Sequence, residues 1–168
     1  MTPARFIGTV FGVGLLKPAP GTWGSLAALP LAWVLHLLGS WPLLLVATVL
    51  SVPLGVWAVA GMMSEGGVHD PSEAVIDEVG GQWIALLPVS YGAAFAGADA
   101  LALWPGWIAA FVLFRLFDVW KPGPVGHFDR QHTALSVVLD DVMAGLLAAA
   151  GVIALALLYH VAFLGVLR

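Results

Sequence analysis

From Pro18 to Ser64 the chain carries no Asp, Glu, Lys or Arg. In hydrocarbon each backbone N–H and C=O must be satisfied within the protein, which leaves helices or a closed barrel as spanning forms. The strict two-residue alternation of a barrel strand is missing, so helices are expected. Gly39-Ser40-Trp41-Pro42 supplies turn chemistry inside the run. It divides the run into a helix from Thr22 to Leu38, short and kinked or only partly spanning at Pro30, and a second from Trp41 to Met63. The second matches the ~20 residues that a hydrocarbon core of about 30 Å requires.

The same reading places a third span from Val79 to Ala98, interrupted by Pro88, and a fourth from Leu101 to Phe117 after a turn at Asp99. Val119 to Thr133, with Lys121, Arg130, two Pro and two Gly, reads as a loop, and Val142 to Leu167 as a fifth apolar helix. Phe6 to Leu16 is too short to cross, and its glycines disfavour a regular helix, so an interfacial or re-entrant segment is expected there. Hydrophobic residues make up 61% of the chain and charged ones 10%, against about 45–50% and 25% for a soluble domain. The 168 residues suit one integral-membrane domain spanning 1–168. The expected fold is thus all-α: a polytopic membrane helical bundle of about five helices plus the short N-terminal segment. The N-terminus lacks the pattern of a secretory signal, so the apolar segments are expected to remain in the mature protein.

Threading five spans alternately brings Arg5, Lys17, Arg115, Lys121 and Arg130 to one side and leaves Arg168 opposite, which makes that side cytoplasmic. All the acids except Asp99 fall there too. A net charge of -4 gives no electrostatic footprint for nucleic acid. The absence of cysteine excludes disulfides, thiolate metal sites and cysteine-dependent phosphatase chemistry. Charge gathered at one membrane face points to a surface for a soluble partner or to a site that works on polar headgroups.

His69-Asp70-Pro71-Ser72-Glu73 has the pattern of a helix start, with Asp70 as N-cap, Pro71 at the first helical position and Glu73 closing a capping-box-like pair. Asp77 and Glu78 then stand directly before an apolar run, where carboxylates are costly without a partner. Asp140 and Asp141 repeat this at the start of the last span, where the helix dipole is the structural alternative. Asp118 lies three residues from both Arg115 and Lys121, so one helix face could carry acid and base together. Three helix ends offering carboxylates at one interface form the kind of oxygen site that magnesium uses.

Arg115, Lys121 and Arg130 could hold phosphate oxygens or act only as topogenic charge. Pro18-Ala19-Pro20-Gly21-Thr22-Trp23-Gly24-Ser25 brings glycines and hydroxyls to a helix start, where free N–H groups bind anions. His36 and His160 read as packing or interfacial residues, and His69, His127 and His132 as solvated loop groups, the last two within reach of a proton-transfer role. The eight tryptophans suit membrane interfaces.

The segments PGTWGSLAALPL, HDPSEAVIDEVGGQWIAL, FRLFDVWKPGPVGHFDR and VVLDDVMAG, in this order, closely resemble the phosphatidylglycerophosphatase A family over almost the whole chain. The resemblance implies a magnesium-dependent phosphatase of the bacterial cytoplasmic membrane, acting on phosphatidylglycerol phosphate in the bilayer. By it, the family's Asp-Glu pair falls on Asp77 and Glu78, and its Phe-Asp-x-x-Lys-Pro element on Phe117, Asp118, Lys121 and Pro122. Its Asp-Arg element falls on Asp129 and Arg130, and its closing Asp pair on Asp140 and Asp141. One departure is that the family commonly has glycines shortly before the closing pair, where this chain reads Thr133-Ala134-Leu135-Ser136. The Pro-Ser-Gly-His element of vanadium-peroxidase-like lipid phosphatases and the Asp-x-Asp start of haloacid-dehalogenase phosphatases are both missing.

The expected chemistry is direct water attack on a phosphomonoester. Glu78, Asp118 and Asp141, supported by Asp77 or Asp140, would hold magnesium. Lys121, Arg115 and Arg130 would hold phosphate oxygens, Thr22 and Ser25 would help bind the phosphate, and Asp129 would carry a proton. An aspartyl-phosphate intermediate is the mechanistic alternative. The competing class is a small ion-coupled transporter or ion-binding membrane protein, which needs ionisable groups at mid-membrane, where the five expected spans have almost none.

Overall fold

The computed structural model describes residues 1–66 and 71–165, and these are helical with no strand. The order is α1 (Pro3–Gly8), a 3-10 turn (Val13–Leu15), α2 (Pro20–Gly66), α3 (Ile76–Ala96), a second 3-10 turn (Ala100–Leu103), α4 (Trp104–Trp120), α5 (Pro124–Asp129), α6 (Ala134–Tyr159) and a π-turn (His160–Leu164). Three stretches are long and apolar enough to cross a membrane: Pro20–Glu65, Ala100–Trp120 and Ala134–Ala162.

The long charge-free run is two helices in one element. Its helical path breaks at Gly39 and Ser40, the latter at φ 57 and ψ -160, where the turn residues stand. The first half begins at Pro20 rather than Thr22, because a proline at the first helical position gives up no needed N–H.

α3 is the centre of the bundle, in contact with α2, α4 and α6. Its glycines and Gln82 lower its apolarity, and it is not among the three stretches of spanning character. Gly81 of α3 and Gly145 of α6 meet backbone to backbone: a Cβ on Gly145 would run into the carbonyl oxygen of Gly81. Around this crossing the core is built largely from small residues, with Ala85, Ala110, Ala144, Ala148 and Phe114 all buried. Small residues permit the close approach that helix association in lipid depends on. Many large side chains point outward, with Leu38, Leu50, Phe95, Leu157 and Leu158 all exposed. Apolar surface on that scale is what bilayer contact requires and what a soluble monomer avoids.

The N-terminal segment is a regular helix only as far as Gly8. Val10, Phe11 and Gly12 then take positive φ, and the Thr9 hydroxyl, donating to the Arg5 carbonyl at 2.7 Å and accepting from Gly12 N at 3.2 Å, ends the helix. α1 packs on the second half of α2, with Ala4 against Gly61 and Gly8 against Met62. The Gly8 carbonyl accepts from Val75 N at 2.8 Å, so this segment holds the chain just before α3.

Several local expectations are corrected. Pro71 does not open a helix: residues 71–73 form a turn closed by Ala74 N donating to the Pro71 carbonyl at 2.8 Å, and α3 starts at Ile76. Glu73 pairs with Arg5 instead of capping. The proposed cap Asp70, with His69, and the position of Arg168 lie outside the described residues. The expected loop from Val119 to Thr133 contains the end of α4 and the whole of α5. α6 begins at Ala134 rather than Val142, nucleated by a capping box in which Thr133 and Ser136 exchange backbone-to-hydroxyl bonds at 2.9 and 3.0 Å. The stretch where the family commonly has glycines is thus a helix start in this chain. Asp140 and Asp141 consequently sit well inside α6, beyond the first turn where a helix dipole acts.

Candidate active site

α3 and α6 begin, and α4 ends, at one end of the bundle, so their acids converge. Asp77 and Glu78 come from the first turn of α3, Asp118 from the last turns of α4, and Asp140 and Asp141 from α6. They line a cleft of about 310 Å³ whose wall also includes Gly21, Ser72, Arg115 and Lys121. Asp77, Glu78 and Asp141 each offer an oxygen within 4.8 Å of the others, a grouping that could hold a metal ion.

Burial makes the charge balance decisive. Asp77, Asp140 and Asp141 are buried, and the Asp118 side chain is 14% exposed. Among the described residues, two cations face these five acids. Arg115 Nη1 donates to Asp118 Oδ2 at 2.5 Å, and Lys121 Nζ donates to Asp140 Oδ2 at 2.9 Å and also to Asp129. Asp77, Glu78 and Asp141 have no cationic partner among the described residues. Uncompensated buried charge costs several kcal/mol per ion, so these residues fit a divalent cation far better than they fit one another.

Lys121 is not on a shared face with Asp118 as the spacing suggested. It is the C-cap of α4 at φ 51, a left-handed residue whose N–H closes onto the Phe117 carbonyl, and this turns its side chain toward α5 and α6. Burial alone would lower the pKa of its ammonium group. The hydrogen bonds and charges of Asp129 and Asp140 outweigh that and raise it above the ordinary lysine value, so the group stays charged.

The remaining expected site residues are placed less centrally. Asp129 is tied to Lys121 and is not on the cleft wall. Arg130 is exposed and caps α5 away from the wall. Ser25 is fully buried, its hydroxyl donating to the Gly21 carbonyl at 2.9 Å, and Thr22 is not a wall residue. The segment reaches the cleft through Gly21, where a Cβ would meet a Glu78 carboxylate oxygen and come within 3.2 Å of Arg115 Nη1. His36 is a packing residue bonded to Ser90 at 2.7 Å. His127 and His132 are exposed.

Sequence reasoning passed over Ser72, and also Gln82, which is fully buried one turn beyond Glu78. The signal for Gln82 was present, since a lone amide four residues after a carboxylate stands out in an apolar run.

The fold and the cleft define a helical membrane protein with an acidic, cation-flanked site at the ends of its helices. A family model described as phosphatidylglycerophosphatase A matches residues 6–156. Phosphatidylglycerophosphatase A of Escherichia coli is 38% identical over 149 residues, covering 88% of this chain and 80% of that protein. The Haemophilus influenzae protein of the same name is 36% identical over 149 residues, covering 88% and 85%. A Bacteroides thetaiotaomicron protein named putative phosphatidylinositol-3-phosphatase is 40% identical over 144 residues, covering 83% and 84%. No solved structure matches the chain. The chain belongs to the phosphatidylglycerophosphatase A family, and it is a phosphoric monoester hydrolase.

Proposed function

We propose that residues 1–168 form one membrane domain that hydrolyses the terminal phosphate of phosphatidylglycerol phosphate, giving phosphatidylglycerol and inorganic phosphate in phospholipid biosynthesis. The observation that carries this is the buried surplus of carboxylates beside two fixed cations, in a chain of this family. Asp77, Glu78 and Asp141 would hold Mg²⁺, with Asp118 and Asp140 at its edge. A bound ion of this kind polarises the phosphoryl oxygens and lowers the pKa of a water.

The chain's own contribution is positioning. Arg115 and Lys121, each anchored by a carboxylate, present N–H groups to phosphate oxygens. Asp129 acts through Lys121, accepting from its ammonium group and holding it at the cleft. Arg130, on the exposed side, meets the headgroup as it approaches. Thr22 and Ser25 support the first turn of α2, whose Gly21 leaves room at the wall for a phosphate.

The topology we favour has five passes: the two halves of α2, then α3, α4 and α6, in the bacterial inner membrane with the cleft on the cytoplasmic side. The break at Gly39 and Ser40 and the convergence of helix ends support it. An ion conduit is disfavoured because the acids gather in one cleft at one end of the bundle and not along a path through it. A second cavity of about 330 Å³, wholly apolar, lies against Ile76 and Val79 on the same turn of α3 that carries the acids. It suits an acyl chain whose headgroup reaches the cleft.

The test is phosphate release from phosphatidylglycerol phosphate by the purified protein in mixed micelles, with Mg²⁺, with chelator, and with Mg²⁺ restored. Release that needs the metal and returns with it is expected. No release with Mg²⁺ present ends the substrate reading, and release indifferent to chelator ends the metal reading. A phosphatidylinositol 3-phosphate arm decides between the substrates named for the relatives.

Replacing Gly21 by Ala provides a local check. The added methyl displaces the Glu78 carboxylate while relieving the helix of a glycine, so turnover should fall on the order of 10-fold with a thermal midpoint no lower than wild type. Unchanged turnover would remove Gly21 from the site.

A further inference from the structure

The buried side-chain polar atoms without a hydrogen-bond partner among the described residues are three, and they belong to two residues: Glu78 Oε2, Gln82 Nε2 and Gln82 Oε1. Gln82 is fully buried. It stands four residues after Glu78 on α3, so the two side chains share one face of the helix a turn apart. The indole N–H of the adjoining Trp83 is committed elsewhere, to the Ala28 carbonyl at 3.0 Å. An unpaired amide at a closed position carries the full cost of its lost hydration, and a leucine would carry none. Orphaned groups so clustered, beside a candidate cation site, indicate partners gained in the working state.

We infer that Gln82 is a positioning residue for Glu78. When the carboxylate turns one oxygen to a divalent cation, the Gln82 amide N–H donates to Oε2 and fixes the orientation of the group. The Gln82 carbonyl oxygen accepts from a water of the cation's shell, which keeps several waters when few carboxylates bind it. The proposal rests on the cation-binding reading of the cleft. Outer partners of this kind are typically worth about 10–100-fold in metal affinity.

The test uses the full-length protein in detergent and Mn²⁺ as the probe, followed by electron paramagnetic resonance, with thermal midpoints of the metal-free protein measured in parallel. Gln82→Leu and Gln82→Met should both weaken Mn²⁺ binding about 10-fold or more and raise the Mg²⁺ concentration for half-maximal phosphate release by a similar factor, leaving the KM for lipid unchanged. Their metal-free thermal midpoints should equal or exceed wild type, because an orphaned amide has been removed. Wild-type Mn²⁺ affinity in both variants overturns the proposal alone. Loss of affinity together with a lowered midpoint in both assigns Gln82 to packing and also overturns it. If the wild-type protein binds no Mn²⁺, the cation reading falls and takes the proposal with it.

Discussion

Glu78→Gln and Asp141→Asn are each expected to lower phosphate release by about 10²-fold or more, roughly 2.7 kcal/mol on the barrier, in protein that still inserts and purifies folded. Both substitutions keep size and some hydrogen bonding and remove only the charge that offsets a divalent ion. Neither residue has a cation to fall back on among the described residues. Removing their charge relieves the apo cleft, so stability should hold or rise while activity collapses. High Mg²⁺ should partly restore Glu78→Gln. Asp118→Asn behaves differently, because that carboxylate anchors Arg115 at 2.5 Å and its loss frees a phosphate-holding group that added metal cannot replace. Asp99, which caps the 3-10 turn by accepting from Leu101 N at 2.7 Å, is the control: asparagine caps as well, and activity should not change. Near-wild-type turnover in the Glu78 and Asp141 variants would exclude the proposed site.

The second large effect is expected one turn deeper, at the crossing of α3 and α6. Asp77 and Gly81 are four residues apart on α3, and so are Asp141 and Gly145 on α6, so the glycine contact sets how closely the carboxylates approach. A Cβ on Gly81 would lie 2.5 Å from the Phe114 ring and 2.6 Å from the Asp141 carbonyl oxygen, and one on Gly145 would strike the Gly81 carbonyl. Backbone atoms cannot swing aside, so the helices must separate. Gly81→Ala and Gly145→Ala should each cost about 1–3 kcal/mol as overpacking. Turnover should fall by about 10²-fold, since a shift near 1 Å suffices for that. Gly92→Ala is the matched control on α3, its Cβ meeting only Leu103 Cδ2 at 3.6 Å, and it should be neutral or slightly stabilising. Thermal midpoints in detergent, read beside Mn²⁺ affinity, check this. If Gly81→Ala melts and binds metal like wild type, the crossing does not set the site.

Much of this architecture is legible along the chain because membrane character is a local property. The charge-free run, its turn at Gly39 and Ser40, and the carboxylate pairs at 77–78 and 140–141 each need only a short window of sequence. Errors arose where a boundary depends on weak or distant signals. The Thr133–Ser136 box lacks the usual sign of Glu or Gln at the third position, so the sequence pattern places the start of α6 later than Ala134. Pro71 looked like a helix start, yet Glu73 answers to Arg5, far away in sequence, and the helix waits until Ile76. The spacing allows Lys121 a shared helix face with Asp118 if the helix continues, but a left-handed cap ends it and sends Lys121 to Asp129 and Asp140.

By itself, then, the sequence determined that this is an apolar helical chain whose acids gather in a few short clusters, because segment length, hydropathy and turn chemistry act within a few residues. Only the tertiary structure decided which oxygens meet. Glu78 and Asp141 come together through a glycine crossing between two helices, Arg115 and Lys121 are each claimed by a particular acid, and Gln82 is sealed beside Glu78. Those distances are set jointly by the surfaces of two or more helices, and no single stretch of the chain contains them.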